Sequence, residues 1–273
     1  MHRTVKVCYS IRRNFGNALN PILIEKVFGR KVVWADEYCC ETSGIGSGLR
    51  LFFKKELPLD AKRKASKNPP CQLWSAGFLS TPQDDIVPIR EFNIASVRGA
   101  LSKSFLEKLY NKTLEITTGD AGLLASELID NNLSNKKYKL GIIPHDRERQ
   151  EPHFINIYNN NSDCVIIDVQ DDPLSIIKTM SMCECIISSS LHGLVVADSL
   201  GIPNRWIKLT DKLLGDGFKF HDYYSTFGIK VQPFNINGKV IIDYEKVIEE
   251  YQLTPSMIEK KKQEIIKAFD MYI

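Results

Sequence analysis

The segment CIISSSLHGLVVADSLGIP, residues 185–203, constrains the fold of this chain more than any other. Its apolar start predicts a buried strand over residues 185–188, and the run of serines that follows predicts a tight turn. A helix is predicted to open at Leu191, directly after the turn. A buried strand that passes through a short turn into a helix is typical of parallel α/β proteins.

The same turn predicts a site for an anion. Because a helix N-terminus presents unpaired N–H groups and the positive end of the helix dipole, it attracts phosphates and carboxylates. His192, in the first turn, adds a group that can transfer a proton near neutral pH. The alternative is that a serine simply caps the helix and His192 has no special role. The backbone and side chains predicted to surround the anion are Ser188, Ser189, Ser190 and Leu191.

Short apolar strands alternate with helical patterns along the whole chain, which predicts an α/β fold made of two doubly wound units. Strands are predicted at residues 5–9, 31–35, 72–74, 93–97, 115–117, 139–143, 164–169, 185–188 and 204–209. Helices are predicted at residues 18–28, 99–110, 123–131, 174–183, 191–200 and 256–271. Two stacked units would place a ligand cleft between them, at the carboxyl ends of the strands.

The boundary between the units is predicted at residues 111–114, which gives domains of residues 1–112 and 113–273. The polar segment at residues 57–70, rich in lysine and proline, is predicted to be an exposed loop inside the first domain. The last helix is expected to pack back onto the first domain.

Charge and composition exclude several classes of protein. A net charge of +3 over 273 residues does not favour nucleic-acid binding. The N-terminus lacks an apolar stretch of signal-peptide length, and no later run is long enough to span a membrane, so a cytoplasmic location is expected. The seven cysteines show no paired zinc spacing, so no metal site is predicted and the thiols are expected to be reduced.

Two glycine-containing turns are further candidates for ligand binding. Asn14, Gly16 and Asn17 follow the first strand, where the amides could bind sugar hydroxyls or cap the helix. Gly46 and Ser47 lie in GIGSG, which resembles a phosphate cradle but lacks the spacing of a dinucleotide or P-loop motif. A tight structural turn is the favoured interpretation of GIGSG.

Charged and imidazole side chains are predicted at three other strand ends. Arg98 is placed to bind a carboxylate or phosphate, although a surface ion pair would also explain it. Asp120 and His145 end strands of the second half, and together with His192 they make a more specific pattern than any one alone. Lys219 and Lys212 are predicted in a mobile, glycine-containing loop, from which a lysine could reach an anion or simply remain solvated.

These landmarks, in this order, resemble the polysaccharide pyruvyl transferase family. The matching segments are NFGNALNPILIEKVFG, GIGSG, LWSAGF, VRGALS, GDAGLL, IIPH and SSSLHGLVVADSLGIP, with GDGFKFHDYY shared by part of the family. The LHG element in its strand–helix setting is the most specific of them. The family often has arginine immediately before Leu-His, where this chain has Ser190, so Arg98 and Lys219 would have to neutralise more of the donor.

The resemblance implies transfer of a pyruvyl group from phosphoenolpyruvate to two hydroxyls of a sugar, which forms a cyclic ketal. It implies two Rossmann-like halves, as in the B-type glycosyltransferase architecture, with the acceptor on the first and the donor on the second. The acceptor would be a capsule, exopolysaccharide or cell-wall precursor, often lipid-linked, which leaves room for contact with the inner face of a membrane. No cofactor is implied, and the oligomeric state is left open.

Under this hypothesis each candidate receives a role. His192 is the main acid and base, Arg98 clamps the donor, and Lys219 is a second anion contact with Lys212 as its substitute. Asp120 and His145 line the cleft or orient the acceptor. Two rivals stay open: a nucleotide-sugar glycosyltransferase of the same architecture, and an inactive partner in glycan assembly.

Overall fold

The computed structural model describes residues 3–57, 60, 68–129 and 135–270. Within them the chain forms two five-stranded sheets in which every pair of neighbouring strands is parallel. The first sheet contains β1 (Thr4–Cys8), β2 (Lys31–Trp34), β3 (Thr42–Ser43), β5 (Cys71–Leu73) and β7 (Phe92–Ile94). The second contains β10 (Tyr138–Ile143), β11 (Cys164–Ile166), β12 (Cys183–Ser188), β13 (Asn204–Lys208) and β14 (Phe234–Asn235). Two small ribbons pair β4 (Phe53–Lys54) with β6 (Val87–Pro88), and β8 (Ser96–Val97) with β9 (Thr117–Thr118).

Both sheets have the same strand order. The order is β2-β1-β3-β5-β7 in the first and β11-β10-β12-β13-β14 in the second, so in each sheet the second strand lies outside the first. The direction of winding therefore reverses between β1 and β3, and again between β10 and β12. In open parallel sheets, ligands bind beyond the carboxyl ends of the strands at such a reversal.

The helices connect the strands, and several begin at a side chain that caps the first turn. Their bounds are α1 (Phe15–Phe28), α2 (Leu49–Phe52), α3 (Ala100–Tyr110), α4 (Pro152–Asn160), α5 (Pro173–Ser181), α6 (Leu191–Ser199), α7 (Phe218–Ser225), α8 (Tyr244–Glu249) and α9 (Pro255–Asp270). A 3₁₀ helix covers Ala121–Leu128. Asn14, Asp120 and Asp172 each accept a hydrogen bond from a backbone N–H of the helix that follows, which satisfies one free donor.

A continuous apolar core runs between the two sheets. It contains buried residues of β1, α1, the 3₁₀ helix, α6 and α9. The end of α9 lies against the first sheet, where Trp74 Nε1 donates to the Ile265 carbonyl at 3.0 Å and Gln72 Nε2 donates to the Ala268 carbonyl at 3.0 Å. Phe28 and Phe269 stack with ring centroids 3.9 Å apart.

The α/β class and the parallel sheets predicted from the sequence are confirmed, and most element bounds agree to within two residues. The strand predicted at residues 93–97 is divided into β7 and β8. The helix predicted at 123–131 is a 3₁₀ helix that ends at Leu128. Most of the loop predicted at residues 57–70 lies outside the described residues. The prediction that Lys219 lies in a mobile loop is wrong, because it belongs to α7 and is 7% exposed.

No helix among the described residues is long and apolar enough to cross a membrane. All seven cysteines carry free thiols, and six of them are buried. In the described part of the chain, no group of three His, Cys, Asp or Glu side chains is arranged to hold a metal ion.

Candidate active site

A cavity of about 190 Å³ lies where the winding reversals of the two sheets face each other. Its walls come from residues within segments 8–17 and 44–51, after β1 and β3, and from segments 145–147 and 190–192, after β10 and β12. Leu79, Leu214 and Lys219 complete the lining. Loops at the carboxyl ends of strands from both sheets therefore meet at one site.

His192 is held tightly inside this site by close contacts to its imidazole ring. A Cβ built on Gly16 would lie 2.0 Å from His192 Nδ1, so only glycine leaves room for the ring at that position. A Cβ on Gly46 would lie 3.8 Å from Cε1, and one on Gly122 would lie 3.5 Å from Cδ2. The side chain is 12% exposed. Burial, with the charges of Arg98 and Lys219, lowers the pKa of His192, while the Asp120 charge opposes that shift.

Asp120 lies behind His192, away from the cavity lining. Its Oδ1 accepts a hydrogen bond from Gly122 N at 2.9 Å and so caps the 3₁₀ helix. Its Oδ2 lies 3.7 Å from His192 Nε2, and both of these atoms are buried without a hydrogen-bond partner among the described residues. The two groups therefore face each other just beyond hydrogen-bonding distance.

Lys219 brings a buried positive charge to the cavity. It lies in the first turn of α7, and no described residue forms a hydrogen bond or ion pair with its ammonium group, which lies 5.1 Å from the ring centroid of Phe220. Burial and the nearby Arg98 charge lower the pKa of Lys219 to about 8, although Glu148 opposes the shift. An ammonium group on a largely buried side chain, facing a cavity and without a partner, favours a bound anion.

His145 lines the cavity as a neutral imidazole. Its Nδ1 accepts from Arg147 N at 3.2 Å, so its ring proton lies on Nε2. Burial first, and the Lys219 charge second, lower the pKa of His145 to about 4. The side chain is therefore a hydrogen-bond donor, without charge, across the neutral pH range.

The three serines that precede α6 have different positions. Ser188 Oγ accepts from Ser190 N at 2.9 Å, and Ser189 Oγ accepts from His145 N at 2.9 Å, so both hydroxyls hold the turn. Both residues are fully buried and lie outside the cavity lining. Ser190 and Leu191 do line the cavity, and the Ser190 side chain makes no capping hydrogen bond.

Arg98 lies behind the wall of the cavity and is completely buried. Its guanidinium pairs with Asp222 Oδ2 at 2.9 Å and donates to the Phe78 carbonyl at 2.5 Å. It reaches the cavity only through Ser47, whose Oγ accepts from its Nη1 at 3.2 Å. A Cβ on Gly77 would lie 2.3 Å from the guanidinium carbon, so this glycine makes room for the buried charge. This placement differs from the anion clamp expected from the sequence.

The structure thus brings most of the sequence-predicted residues to one site. Those that line the cavity are Asn14, Asn17, Gly46, Ser47, His145, Ser190, Leu191, His192 and Lys219. Gly16 and Asp120 contact the His192 ring from outside the lining. Lys212 is apart from the site, since it is exposed and pairs with Glu151.

Three arginines that line the cavity are absent from the site residues predicted from the sequence: Arg50, Arg12 and Arg147. Arg12 follows β1 and pairs with Asp146 at 2.8 Å. Arg147 follows β10, is exposed, and has no ion pair with a described residue. Arg12 and Arg147 stand just after predicted strands, which is the signal that could have identified them.

Comparison with known proteins agrees with the resemblance drawn from the motifs. A family model described as polysaccharide pyruvyl transferase matches residues 45–210, more than half of the chain. The chain belongs to the polysaccharide pyruvyl transferase family. The match includes Arg98, Asp120, His145 and His192, whereas Asn14 and Lys219 lie outside it.

Two relatives extend this comparison. An uncharacterized protein, L143, of Acanthamoeba polyphaga mimivirus is 29% identical over 93% of this chain and 86% of its own length. The succinoglycan biosynthesis protein ExoV of Rhizobium meliloti (strain 1021) is 24% identical over 58% of this chain and 48% of its own length. The family assignment itself rests on the family model.

Proposed function

We propose that this protein transfers the pyruvyl group of phosphoenolpyruvate onto two hydroxyls of a sugar in a surface-polysaccharide or cell-wall precursor. The observation that carries the proposal is the buried Lys219 without a partner, which shares one cavity with His192 and the N-terminus of α6. A small, highly charged anion satisfies such a set of groups, and family membership makes a pyruvyl donor the anion to test.

The donor site has cations at two depths. Lys219 lies deepest, while Arg147 and Arg12 lie at the exposed side of the cavity. The free N–H of Leu191 at the start of α6 adds partial positive charge, whereas the N–H of Ser190 is already held by Ser188 Oγ. These groups supply what the arginine before Leu-His supplies in other family members, because Ser190 brings no charge. Arg98 supports the site by holding Ser47 and takes no direct part in our proposal.

The chemistry requires one proton transfer to carbon. His192 gives a proton to the methylene carbon of phosphoenolpyruvate, and the first sugar hydroxyl adds to the neighbouring carbon and loses its proton to a base. Inorganic phosphate then leaves with the electrons of its C–O bond. The second hydroxyl attacks the cation-like centre, loses its proton and closes the ketal ring. Donor and diol therefore become ketal and phosphate without any oxidation or reduction.

The cavity must remain partly dry for this reaction. A charged donor is bound more strongly by Lys219 when little water competes, and the cation-like centre is protected from hydrolysis. His145 Nε2–H and the amides of Asn14 and Asn17 are donors that can hold the donor phosphate or sugar hydroxyls.

The proposal extends to the architecture and to the partners. The two parallel sheets with the same strand order support two Rossmann-like halves, as in B-type glycosyltransferases, with domains of residues 1–112 and 113–273. The acceptor side is the first half and the donor side is the second. The acceptor is a sugar or lipid-linked oligosaccharide, so we place the protein in the cytoplasm, at or near the inner face of a membrane. The scheme uses no metal, nucleotide cofactor or nucleic acid.

Calorimetric titration with phosphoenolpyruvate tests the donor directly. Wild-type protein, His192→Gln and Lys219→Met are compared, with a uridine diphosphate sugar as the control ligand. Saturable phosphoenolpyruvate binding that is weakened in Lys219→Met supports the proposal, and release of phosphate with a glycan acceptor completes it. Binding of the nucleotide sugar alone would instead identify a glycosyltransferase. Failure of both ligands to bind would favour an inactive partner in glycan assembly.

A further inference from the structure

Two buried polar atoms face each other at the back of the site. Asp120 Oδ2 and His192 Nε2 are 3.7 Å apart, and neither has a hydrogen-bond partner among the described residues. Buried polar atoms in proteins are almost always paired, so two orphaned atoms side by side require an explanation. A shift of less than 1 Å would close a hydrogen bond between them.

The rest of the Asp120 carboxylate is already fixed. Its Oδ1 caps the 3₁₀ helix through Gly122 N, which orients Oδ2 toward the imidazole. A Cβ on Gly122 would contact both Asp120 Oδ1 at 3.1 Å and His192 Cδ2 at 3.5 Å. Asp120 is therefore held in place by its own turn and does not need His192 to fix its position.

The two ring nitrogens of His192 have different surroundings. Nε2 is buried on the Asp120 side, so the exposed part of the ring is elsewhere. Nδ1 lies on the side of Gly16, in the turn that brings Asn14 and Asn17 to the cavity. Of the two ring nitrogens only Nε2 is a fully buried atom without a partner, so we assign the proton transfer to Nδ1.

We propose that Asp120 is a positioning residue that keeps a proton on Nε2 of His192, and that donor binding loads Nδ1 with the proton used in the reaction. The second part of this inference, the loading of Nδ1, rests on the function proposed above, whereas the positioning role of Asp120 does not. A carboxylate behind a histidine fixes the tautomer and stabilises the imidazolium when it forms.

The charges around the ring determine when Nδ1 is protonated. Asp120 faces it from the 3₁₀ helix, Arg98 acts from the end of β8, and Lys219 acts from α7. In the free protein, burial and the two cations keep the ring neutral near pH 7. A bound trianion would offset both cations, after which Asp120 favours the charged ring and a proton enters from solvent. That proton forms the new C–H bond of the pyruvyl group, and the attacking sugar hydroxyls return protons to the site and to solvent.

The first test needs no donor. Nitrogen-15 NMR of the free protein reports which imidazole nitrogen carries the proton, and His192→Gln identifies the His192 signal among the five histidines. We expect the Nε2–H tautomer in wild type. Asp120→Asn keeps the shape and the Oδ1 cap but presents an amide N–H to Nε2, so the proton should move to Nδ1. A wild-type Nδ1–H tautomer, or an unchanged tautomer in Asp120→Asn, would overturn the positioning role.

The matched control is Asp172→Asn. Asp172 also caps a helix, by accepting from Ser175 N at 2.9 Å, but it belongs to α5 and does not line the cavity. This variant should leave the His192 tautomer as it is in wild type. A shift in both variants would show that the tautomer responds to the loss of any capping carboxylate charge and not to the charge of Asp120 in particular.

The second test measures protons taken up on donor binding. Calorimetric titration with phosphoenolpyruvate at pH 7, repeated in buffers of different ionisation enthalpy, gives the number of protons that the protein takes up for each donor bound. This number should be larger by close to one proton in wild type than in His192→Gln. Asp120→Asn should lose most of that difference and lower kcat roughly 10²-fold, while the donor Kd stays the same or falls. Tight donor binding with the same proton uptake in wild type, His192→Gln and Asp120→Asn would disprove the loading of Nδ1 but not the positioning role of Asp120. Absence of binding would disprove the proposed function, and the NMR result would still decide the role of Asp120.

Discussion

Two buried pairs of ionisable side chains, Arg98–Asp222 and Asp120–His192, differ in one respect. In the Arg98–Asp222 pair every carboxylate oxygen is used: Oδ2 accepts from Arg98 Nε at 3.0 Å and from Ser102 Oγ at 2.7 Å, and Oδ1 accepts from Ser102 N at 2.8 Å. In the Asp120–His192 pair, one oxygen and one ring nitrogen have no partner. Both pairs join residues that are far apart in sequence.

Whether the hydrogen bonds of a buried pair are complete indicates whether the pair has a structural or a functional role. A buried ion pair with all its hydrogen bonds made is a structural link, here between α3, α7 and the end of β8. An incomplete pair beside a cavity costs free energy in the free protein, on the order of 1–3 kcal/mol for each unpaired group, and persists where a ligand or a proton completes it. The residues with satisfied partners should therefore control stability, and those with unsatisfied atoms should control activity.

The largest expected effect is on stability, from Asp222→Ala. This change leaves the Arg98 charge buried and unpaired and also removes the cap from α3, so the free energy of unfolding should fall by about 3–5 kcal/mol. Urea denaturation measures it. The control is Asp84→Ala, an exposed partner of Lys108, which should cost less than about 1 kcal/mol. If Asp222→Ala is no more destabilising than Asp84→Ala, the structural side of the comparison fails.

The next largest effect should be on turnover, from His192→Gln. Loss of the proton donor should lower kcat by about 10²–10⁴-fold, measured as phosphate release with an acceptor. The free energy of unfolding should fall by less than in Asp222→Ala, because packing of the ring is lost but no hydrogen bond to a described residue is. His153→Gln is the control, since His153 shares a hydrogen bond with the Ile236 carbonyl and does not line the cavity. Activity in His192→Gln equal to that of the control would exclude proton transfer by His192.

The sequence was most informative where structure is local. The strand, turn and helix around Ser188–Leu191 form close to the predicted bounds, because apolar periodicity and the serine turn act over a few residues. The long-range pairs could not be predicted in this way. Asp222 and Arg98 are 124 residues apart, and nothing in either segment marks the other as its partner. The sequence therefore predicts Arg98 as a donor contact, whereas in the structure its guanidinium pairs with Asp222.

The incorrect placement of Lys219 has a different cause. The sequence predicts a mobile loop around Gly215 and Gly217, and in the structure these two residues have φ of 91° and 86°. In the structure Gly217 is the residue before α7, so the same glycine marks the start of a helix. A glycine signals a change of direction, and it does not tell whether the next residues are ordered.

The third prediction concerns Lys219→Met, which should act in opposite directions on binding and on stability. Removing the cation should raise the phosphoenolpyruvate Kd about 10–100-fold, the worth of a charged hydrogen bond. The pKa of Lys219 is lowered from 10.5 to about 8, which means that folding disfavours the charged form. Removing the charge should therefore raise the free energy of unfolding near pH 7, by at most roughly 3 kcal/mol. Lys212→Met, which removes an exposed charge outside the cavity, should change neither quantity substantially.

The pH dependence of binding checks the same lysine. Lys219 is charged in the free protein below about pH 8, so wild-type affinity should fall as the pH rises through that value, because the donor then has to bind together with a proton. In Lys219→Met this loss above pH 8 should disappear. The same loss in both proteins would mean that another group titrates.

The smallest expected effect is that of Arg147→Ala, and it tests whether the exposed side of the cavity matters at all. Arg147 is exposed and lies where a bound anion would still touch water, so its attraction is screened. We expect the phosphoenolpyruvate Kd to rise less than about tenfold at low salt and hardly at all at high salt. Arg149→Ala, which removes a cation paired with Asp168 at 2.7 Å, is the control two positions along the chain. A large, salt-independent loss in Arg147→Ala alone would show that this arginine becomes buried against the donor, and that the cavity closes around it.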